Sequence, residues 1–314
     1  MPWDERTARR LKLRDLHVFK TAVRLGSMGK AAGELAVSQP AISKAITDLE
    51  YVLGVRLLDR SRQGVEPTGY GIALLKSSAV VFDNLRQGVE EIDFLADPTA
   101  GELRIGTTEV MTGGLIPVVV DRLSRQYPRM IFNVVQASTL AQQYRDLRER
   151  NVDLILGRII EPIADEDMNL EILFEDHLHV VAGIESRWHR RRKIDAGELV
   201  GEPWALPPYE TFIGSIVKQA FRAKGLSPPR ITAISNSQQF YTALLATGRF
   251  LSVRPKSMLR LGGKHLLGKV VRVDLPMQPV YGGIVTLKNR TVNPAVQLVI
   301  DCARTVAERL NKRN

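Results

Sequence analysis

Apolar residues at Leu16, Phe19 and Val23 recur three and four positions apart, which predicts one face of a short helix starting near Leu13. Gly26 closes it, and Ser27 is placed to cap a second helix with a face of Ala31, Ala32 and Leu35. A tight turn follows at Ala36-Val37. Ser38 then caps a third helix, and Pro40 falls in its first turn, where a missing N–H costs nothing. Ile42, Ile46, Leu49 and Leu53 form the buried face of this helix, and Gly54 stops it. Its opposite face presents Gln39, Pro40, Ser43, Lys44 and Thr47. Residues 55–60 and 65–67 read as a two-stranded hairpin with Arg60 and Arg62 near its tip. From Thr68 a heptad-like run of Ile72, Leu75, Ala79 and Phe82 drifts to Leu85, Val89, Ile92 and Ala96. That makes roughly 40 Å of helix. Its apolar face needs either a copy of itself in a second subunit or the core of the next domain.

The pattern changes after residues 97–101, a Pro- and Gly-containing break. Strands at 103–107, 130–136 and 152–156 alternate with helices at 116–127 and 139–150, the second opened by Thr139 and Gln142 as a capping box. Such β-α-β-α-β order implies a parallel sheet. A second set has strands at 178–182, 204–206, 231–234, 250–253, 270–273 and 280–287. Its helices lie at 213–224, at 238–247 and from Asn293-Pro294 to about 310. The predicted fold class is α/β overall. A tail (1–12) precedes a helix-turn-helix with a wing (13–67), a long linker helix (68–97) and a two-lobed α/β domain (98–314). Lobe I is residues 101–176 with 281–314, and lobe II is 177–280. A cleft at the carboxyl ends of the strands is the expected ligand site.

Composition narrows the classes. The 314 residues are 44% hydrophobic and 25% charged, which excludes wholesale disorder. One cysteine, Cys302, excludes an intramolecular disulfide framework and a Cys-based zinc finger. No run of 18 apolar residues is present, so no membrane span is expected. The charged N-terminal stretch lacks the apolar core of a secretory signal, and a reducing cytoplasm is the expected location. A net charge of +10 favours a polyanionic partner, nucleic acid ahead of a membrane surface. Residues 1–76 hold thirteen Lys and Arg against eight Asp and Glu, so half of that excess sits in the first quarter of the chain. On charge alone, this is as compatible with a solvated basic surface as with a DNA-binding face.

An ordered set of residues within 16–71 closely resembles the LysR-type transcriptional regulators. It comprises Leu16, Phe19, Gly26-Ser27, Ala31-Ala32, Leu35 and the run from Ser38 through Gln39, Pro40, Ala41 and Ile42 to Ser43. Leu49-Glu50, Leu53-Gly54, Leu57, Arg60, Thr68 and Gly71 complete it. The rest of the chain matches that family in lobe pattern and length. The resemblance implies a winged helix-turn-helix, a linker helix that dimerises, and an effector domain similar to periplasmic solute-binding proteins. It implies a homodimer or homotetramer that bends an interrupted palindrome in promoter DNA, with RNA polymerase as a further partner. A small inducer, a sugar- or aromatic-acid anion in the branches it most resembles, would control transcription. Two departures stand out. About a dozen residues precede the usual start, with Arg6, Arg9 and Arg10 either touching phosphates or lying in a disordered tail. Lys44 stands where the family often has Arg, a point charge in place of a fork.

On this reading Ser27 and Ser38 contact phosphates, Gln39, Pro40, Ser43 and Lys44 face bases with Thr47 beside them, and Arg60 or Arg62 enters the minor groove. The bland alternative is a solvated polar face. The family places effectors at loops after strands, here Thr107-Thr108-Glu109, Ala137-Ser138-Thr139, Gly157-Arg158, 209–213 and Ser235-Asn236-Ser237. Small hydroxyls and helix-start N–H groups suit a carboxylate. The candidate ligand contacts are Thr107, Thr108, Glu109, Ser138, Thr139, Arg158, Phe212, Asn236 and Ser237. Each Ser or Thr is equally a helix cap. Arg158 is either a bidentate clamp or an interlobe ion pair with Glu109 or another acid, and Phe212 stacks on a ring or closes the pocket.

The basic run from Arg187 to Lys193 reads as a solvated face, His177 and His179 as a structural pair with no third metal ligand, and Cys302 as a packed thiol. An enzyme on the same lobes would need a nucleophile elbow, HExxH, GxxxxGK[ST] or GxGxxG, and none is present. A solute-binding protein would not carry a DNA reader. No catalysis, cofactor or metal is therefore expected.

Overall fold

The computed structural model describes residues 5–61, 64–97, 99–137, 139–159, 166–235, 237–262 and 268–311. Arg62, Ser138 and Asn236, three of the candidate site residues, lie outside these. The chain divides into two compact units, residues 1–89 and 90–314.

The first unit contains α1 (Glu5–Arg10), α2 (Leu13–Leu25), α3 (Met28–Glu34), α4 (Gln39–Leu53), β1 (Leu58–Ser61), β2 (Gly64–Pro67) and most of α5 (Gly69–Ala96). Gly26 and Gly54 end α2 and α4 in the left-handed region, at φ 62° and 67°, which a residue without a β-carbon adopts freely. Phe19, Ala22, Ala31, Ile42, Ile46 and Leu49 meet in one core, so the apolar spacing of all three helices converges. Residues 5–10 are helical rather than an irregular tail, because Thr7 is buried and Leu11 packs on that core.

Along α5 the apolar pattern divides differently from the expected heptad. Leu74, Leu75 and Phe82 pack on the helix-turn-helix core. Val81, Leu85, Ile92 and Leu95 are exposed instead. With Gly88 they fall at spacings of four, three, four and three.

The second unit runs β3 (Ala100–Thr107), α6 (Glu109–Thr112), α7 (Leu115–Gln126), β4 (Arg129–Gln136), α8 (Leu140–Arg148), β5 (Leu154–Ile159), β6 (Met168–Asp176) and β7 (Leu178–Ala182). It continues with α9 (Ala196–Leu199), β8 (Trp204–Ala205), α10 (Phe212–Ala223), β9 (Ile231–Ala233), α11 (Gln238–Ala246), β10 (Leu251–Pro255), α12 (Lys256–Leu261), β11 (Lys269–Val270), β12 (Val280–Leu287) and α13 (Pro294–Asn311).

Two five-stranded sheets result, ordered β4-β3-β5-β12-β6 and β11-β7-β10-β8-β9. The first is parallel only across β4, β3 and β5. Those are the three strands expected to be parallel; β12 returns antiparallel between β5 and β6, which makes the whole sheet mixed. Helices α7 and α13 cover it with Leu115, Val119, Val299 and Val306. Trp204 and Phe221 meet edge to face, centroids 5.7 Å apart, in the core of the second lobe.

Polar pairs tie these layers together. Burial alone would raise the Asp153 carboxyl. Hydrogen bonds and charge from Arg104, with the charge of Arg290, outweigh it and hold the group down to about 2. The basic run at 187–193 is not simply solvated. Arg187 and Arg191 lie 4.8 and 5.5 Å from the ring of buried Trp188, whose Nε1 donates to Glu202 at 2.8 Å. Glu202 also receives Arg187, and Glu198 receives Arg191.

Candidate functional site

The polar face of α4 is built by its buried one. Because Ile42, Ala45, Ile46 and Leu49 point into the core, Gln39, Pro40, Lys44 and Thr47 are exposed on the other side. Ser27 and Ser38 each cap a helix, accepting from Lys30 N at 3.3 Å and Ala41 N at 3.4 Å. Both capping contacts use the hydroxyl as acceptor, so its O–H remains a donor. Ser43 is half-buried and receives Nη1 of Arg60 at 3.4 Å. That bond sets the wing arginine beside the recognition face.

Glu50 completes this corner, and its role was not evident from sequence. Its Oε1 accepts Leu57 N at 2.8 Å and Leu58 N at 3.3 Å, and Oε2 lies 3.9 Å from Arg60. On the other strand, Val65 N donates to Gly26 O at 3.0 Å. Gly64 permits that approach, since a β-carbon there would stand 2.3 Å from the same oxygen.

In the second unit a cavity of about 500 Å³ opens between the two lobes. Thr108, Glu109, Thr139 and Arg158 line it from lobe I, and Phe212 from lobe II. Thr107 does not. Its hydroxyl is fully buried and donates to Leu156 O at 2.6 Å, pinning β3 to β5. Ser237 caps α11, accepting from Phe240 N, and is not part of the lining. Thr139 caps α8, but the capping box is only half made, because the Gln142 amide donates to Asp146 instead.

Arg158 sits within a strand rather than in a loop, because β12 pairs with β5 through Arg158 and Ile159. Its Nε is enclosed and has no hydrogen-bond partner among the described residues, as does the Thr108 hydroxyl. Burial pushes the guanidinium down to about 10, against the pull of the Asp176 carboxylate, so it stays charged at neutral pH. Asp176 is itself engaged by Ser257, through N at 2.8 Å and Oγ at 2.5 Å. The alternative ion pair between Arg158 and Glu109 is not formed. Oε1 of Glu109 instead crosses the cleft to accept Gln238 N at 2.8 Å and Ser237 Oγ at 3.4 Å.

Behind that contact lies a group that periodicity did not reveal. Arg254, fully buried on β10, donates to the side-chain and main-chain oxygens of Gln238 and lies 5.6 Å from the Tyr241 ring. Its one sequence signal is a charge inside a short, fully buried strand with Leu251 and Val253. His177 lies 3.5 Å from Glu175, and burial, ahead of nearby positive charges, lowers His179. No group of three potential metal ligands occurs among the described residues. Cys302 is half-buried against the first-lobe core, and burial raises its thiol. No described helix is long and apolar enough to cross a membrane.

Comparison with known proteins agrees with both units. The family described as LysR substrate binding domain matches residues 96–308, and the bacterial regulatory helix-turn-helix protein, lysR family, matches residues 13–72. The regulator GbpR of Azospirillum brasilense is 27% identical over 307 residues, 97% of this chain and 89% of GbpR. TdcA of Escherichia coli (strain K12) is 25% identical over 294 residues, 93% of this chain and 92% of TdcA. A full-length OxyR variant from Pseudomonas aeruginosa shares the fold with a TM-score of 0.67 at 21% identity, covering 95% of this chain and 97% of that one. Full-length CbnR complexed with its target DNA gives 0.54 at 20%, covering 95% and 100%. With both parts matched in their expected order, the chain belongs to the LysR family of DNA-binding transcriptional regulators.

Proposed function

We propose that this regulator binds an interrupted palindrome in promoter DNA as a homo-oligomer and is controlled by a small carboxylate held between its lobes. RNA polymerase is the partner through which the bound protein acts. Support for the DNA mode comes from Gln39, Pro40, Lys44 and Thr47 exposed along one helix face, with Arg60 tied beside them. Support for self-association comes from the exposed apolar stripe of α5.

One observation carries the effector reading. Arg158 and Thr108 line the same cavity, and the enclosed Nε of the one and hydroxyl of the other lack hydrogen-bond partners among the described residues. A guanidinium edge without an acceptor is costly when shielded from water, and a carboxylate satisfies it with charge-assisted bonds.

The test uses the full chain and a labelled promoter duplex. Affinity should fall steeply with salt, as phosphate contacts release counterions. A carboxylate effector should change that affinity and raise the melting temperature, and Arg158→Ala should abolish both responses. Operator binding that no carboxylate alters would favour a ligand-independent regulator.

A further inference from the structure

Two opposite charges line the interlobe cavity and do not pair with each other. Arg158 makes no ion pair among the described residues, and its Nε lacks an acceptor there. Glu109 spends both of its hydrogen bonds on one oxygen, Oε1, leaving Oε2 without a donor among the described residues. Asp176, the acid that acts on Arg158 through space, already has both oxygens bonded to Ser257. The cavity thus offers a cation edge and a separate anion edge.

A ligand bearing only a carboxylate is a poor complement to this arrangement. Seated on Arg158, it shares a partly enclosed cleft with the Glu109 carboxylate, which buried Arg254 offsets through space while donating its own hydrogen bonds to Gln238, so repulsion between the two carboxylates is reduced but not removed. An added ammonium turns that repulsion into attraction. Leu178, Phe212, Ile213 and Val253 supply an apolar wall in the same cavity. Its volume of about 500 Å³ is that of a small-molecule site.

We infer that the effector is a zwitterion of the α-amino acid class, with its carboxylate on Arg158 and Thr108, its ammonium on Oε2 of Glu109 and an apolar side chain on the Phe212 wall. This rests on the carboxylate reading above and adds the second charge. Glu109 is then the residue that separates amino acids from the corresponding plain acids.

The experiment titrates the full chain by calorimetry with each of the standard L-amino acids and with each one's deaminated acid. The expected result is an apolar amino acid bound at least tenfold more tightly than its deaminated acid. In Glu109→Gln, which keeps an oxygen for the Gln238 N–H, that preference falls at least tenfold. Deaminated acids binding as tightly as their amino acids overturn the inference and leave the carboxylate reading standing. An unchanged preference in a folded Glu109→Gln protein also overturns it. Binding of neither series overturns the inference and confines the carboxylate reading to acids outside both series. The comparison of acid with amino acid on the unaltered chain decides the matter even where the variant does not fold.

Discussion

The carbonyl oxygen of Leu57 stands 2.2 Å from where a β-carbon on Gly71 would lie. The first turn of α5 is laid directly on the strand entering the wing. Thr68 fastens it there, its N–H donating to Leu57 O at 3.0 Å and its hydroxyl to Arg56 O at 2.7 Å. Gly71 N in turn donates to that hydroxyl at 3.1 Å. Gly71→Ala forces a backbone to move, and such overpacking costs about 1–3 kcal/mol. Calorimetry should show an earlier unfolding transition together with weaker operator binding. A variant that melts and binds like the parent would mean that α5 and the wing separate at little cost.

Glu50 acts on DNA binding without needing to touch DNA. It satisfies two backbone N–H groups of the wing strand and faces Arg60. Glu50→Ala leaves part-buried donors unmet, at about 1–3 kcal/mol. Glu50→Gln keeps an acceptor and should recover most of that stability, while loosening Arg60. Denaturant titration ranks the three proteins, and Ala and Gln variants of equal stability would refute the anchoring role.

Gln39 and Lys44 stand exposed on the face opposite the helix core. Replacing either with Ala should weaken operator binding by roughly 1–3 kcal/mol. Binding to unrelated DNA should be little altered by Gln39→Ala, because an amide reads base edges while non-specific binding rests on charge. Anisotropy titrations on operator and scrambled duplexes measure both. Equal losses on the two duplexes would assign Gln39 to the phosphate backbone.

These elements were legible in sequence because their signals are local. A cap at Ser38, a left-handed Gly54 and apolar spacing of three and four each depend on neighbours within a turn or two. What sequence missed depends on distant strands. Residues 168–176 alternate weakly, with Asn169, Glu171 and Glu175 among them, and become β6 by pairing with β12. The same strand β12 carries β5 onward through Arg158, turning an expected loop residue into a strand residue. Gln238 and Arg254 join Glu109 only because α11 packs beside β10 and faces lobe I. Thr139 shows a smaller failure: the box pattern was present, but Gln142 had a competing partner one turn ahead at Asp146.

Asp153 makes the second unit sensitive to acid, alongside Asp97, Asp167 and Glu198, whose carboxyls hydrogen bonds also hold down. The folded-state value of Asp153, about 2, lies below the ordinary 3.8, so the group favours the folded state above about pH 4. The contribution, about 2–3 kcal/mol, is lost as pH falls through about 2. Asp153→Asn removes the countercharge from Arg104 and from Arg290, whose side chain is 4% exposed. Removing one partner of a buried ion pair costs roughly 3–5 kcal/mol. The variant should therefore melt lower at pH 7, and its stability should change less between pH 5 and pH 2. An unaltered acid profile would place the sensitivity elsewhere.

The stripe along α5 makes the most direct claim about assembly. Val81, Leu85, Gly88, Ile92 and Leu95 alternate by four and three residues, the repeat that keeps one helix seam facing another. Ile92 and Leu95 are 66% and 75% exposed, so no described residue covers this end of the seam. Gly88 in the middle has open space around its Cα, which lets a second backbone approach. Leu85→Asp with Ile92→Asp places charges in the seam and removes the apolar area that would drive pairing. Neither residue belongs to a core cluster, so the chain should still fold. Sedimentation should then find monomers where the parent is dimeric or larger. Affinity for a two-half-site operator should drop far more than affinity for a single half-site, because only a joined pair engages both at once. If the doubly substituted protein sediments as the parent does, the subunits associate through another surface and the stripe serves a different partner.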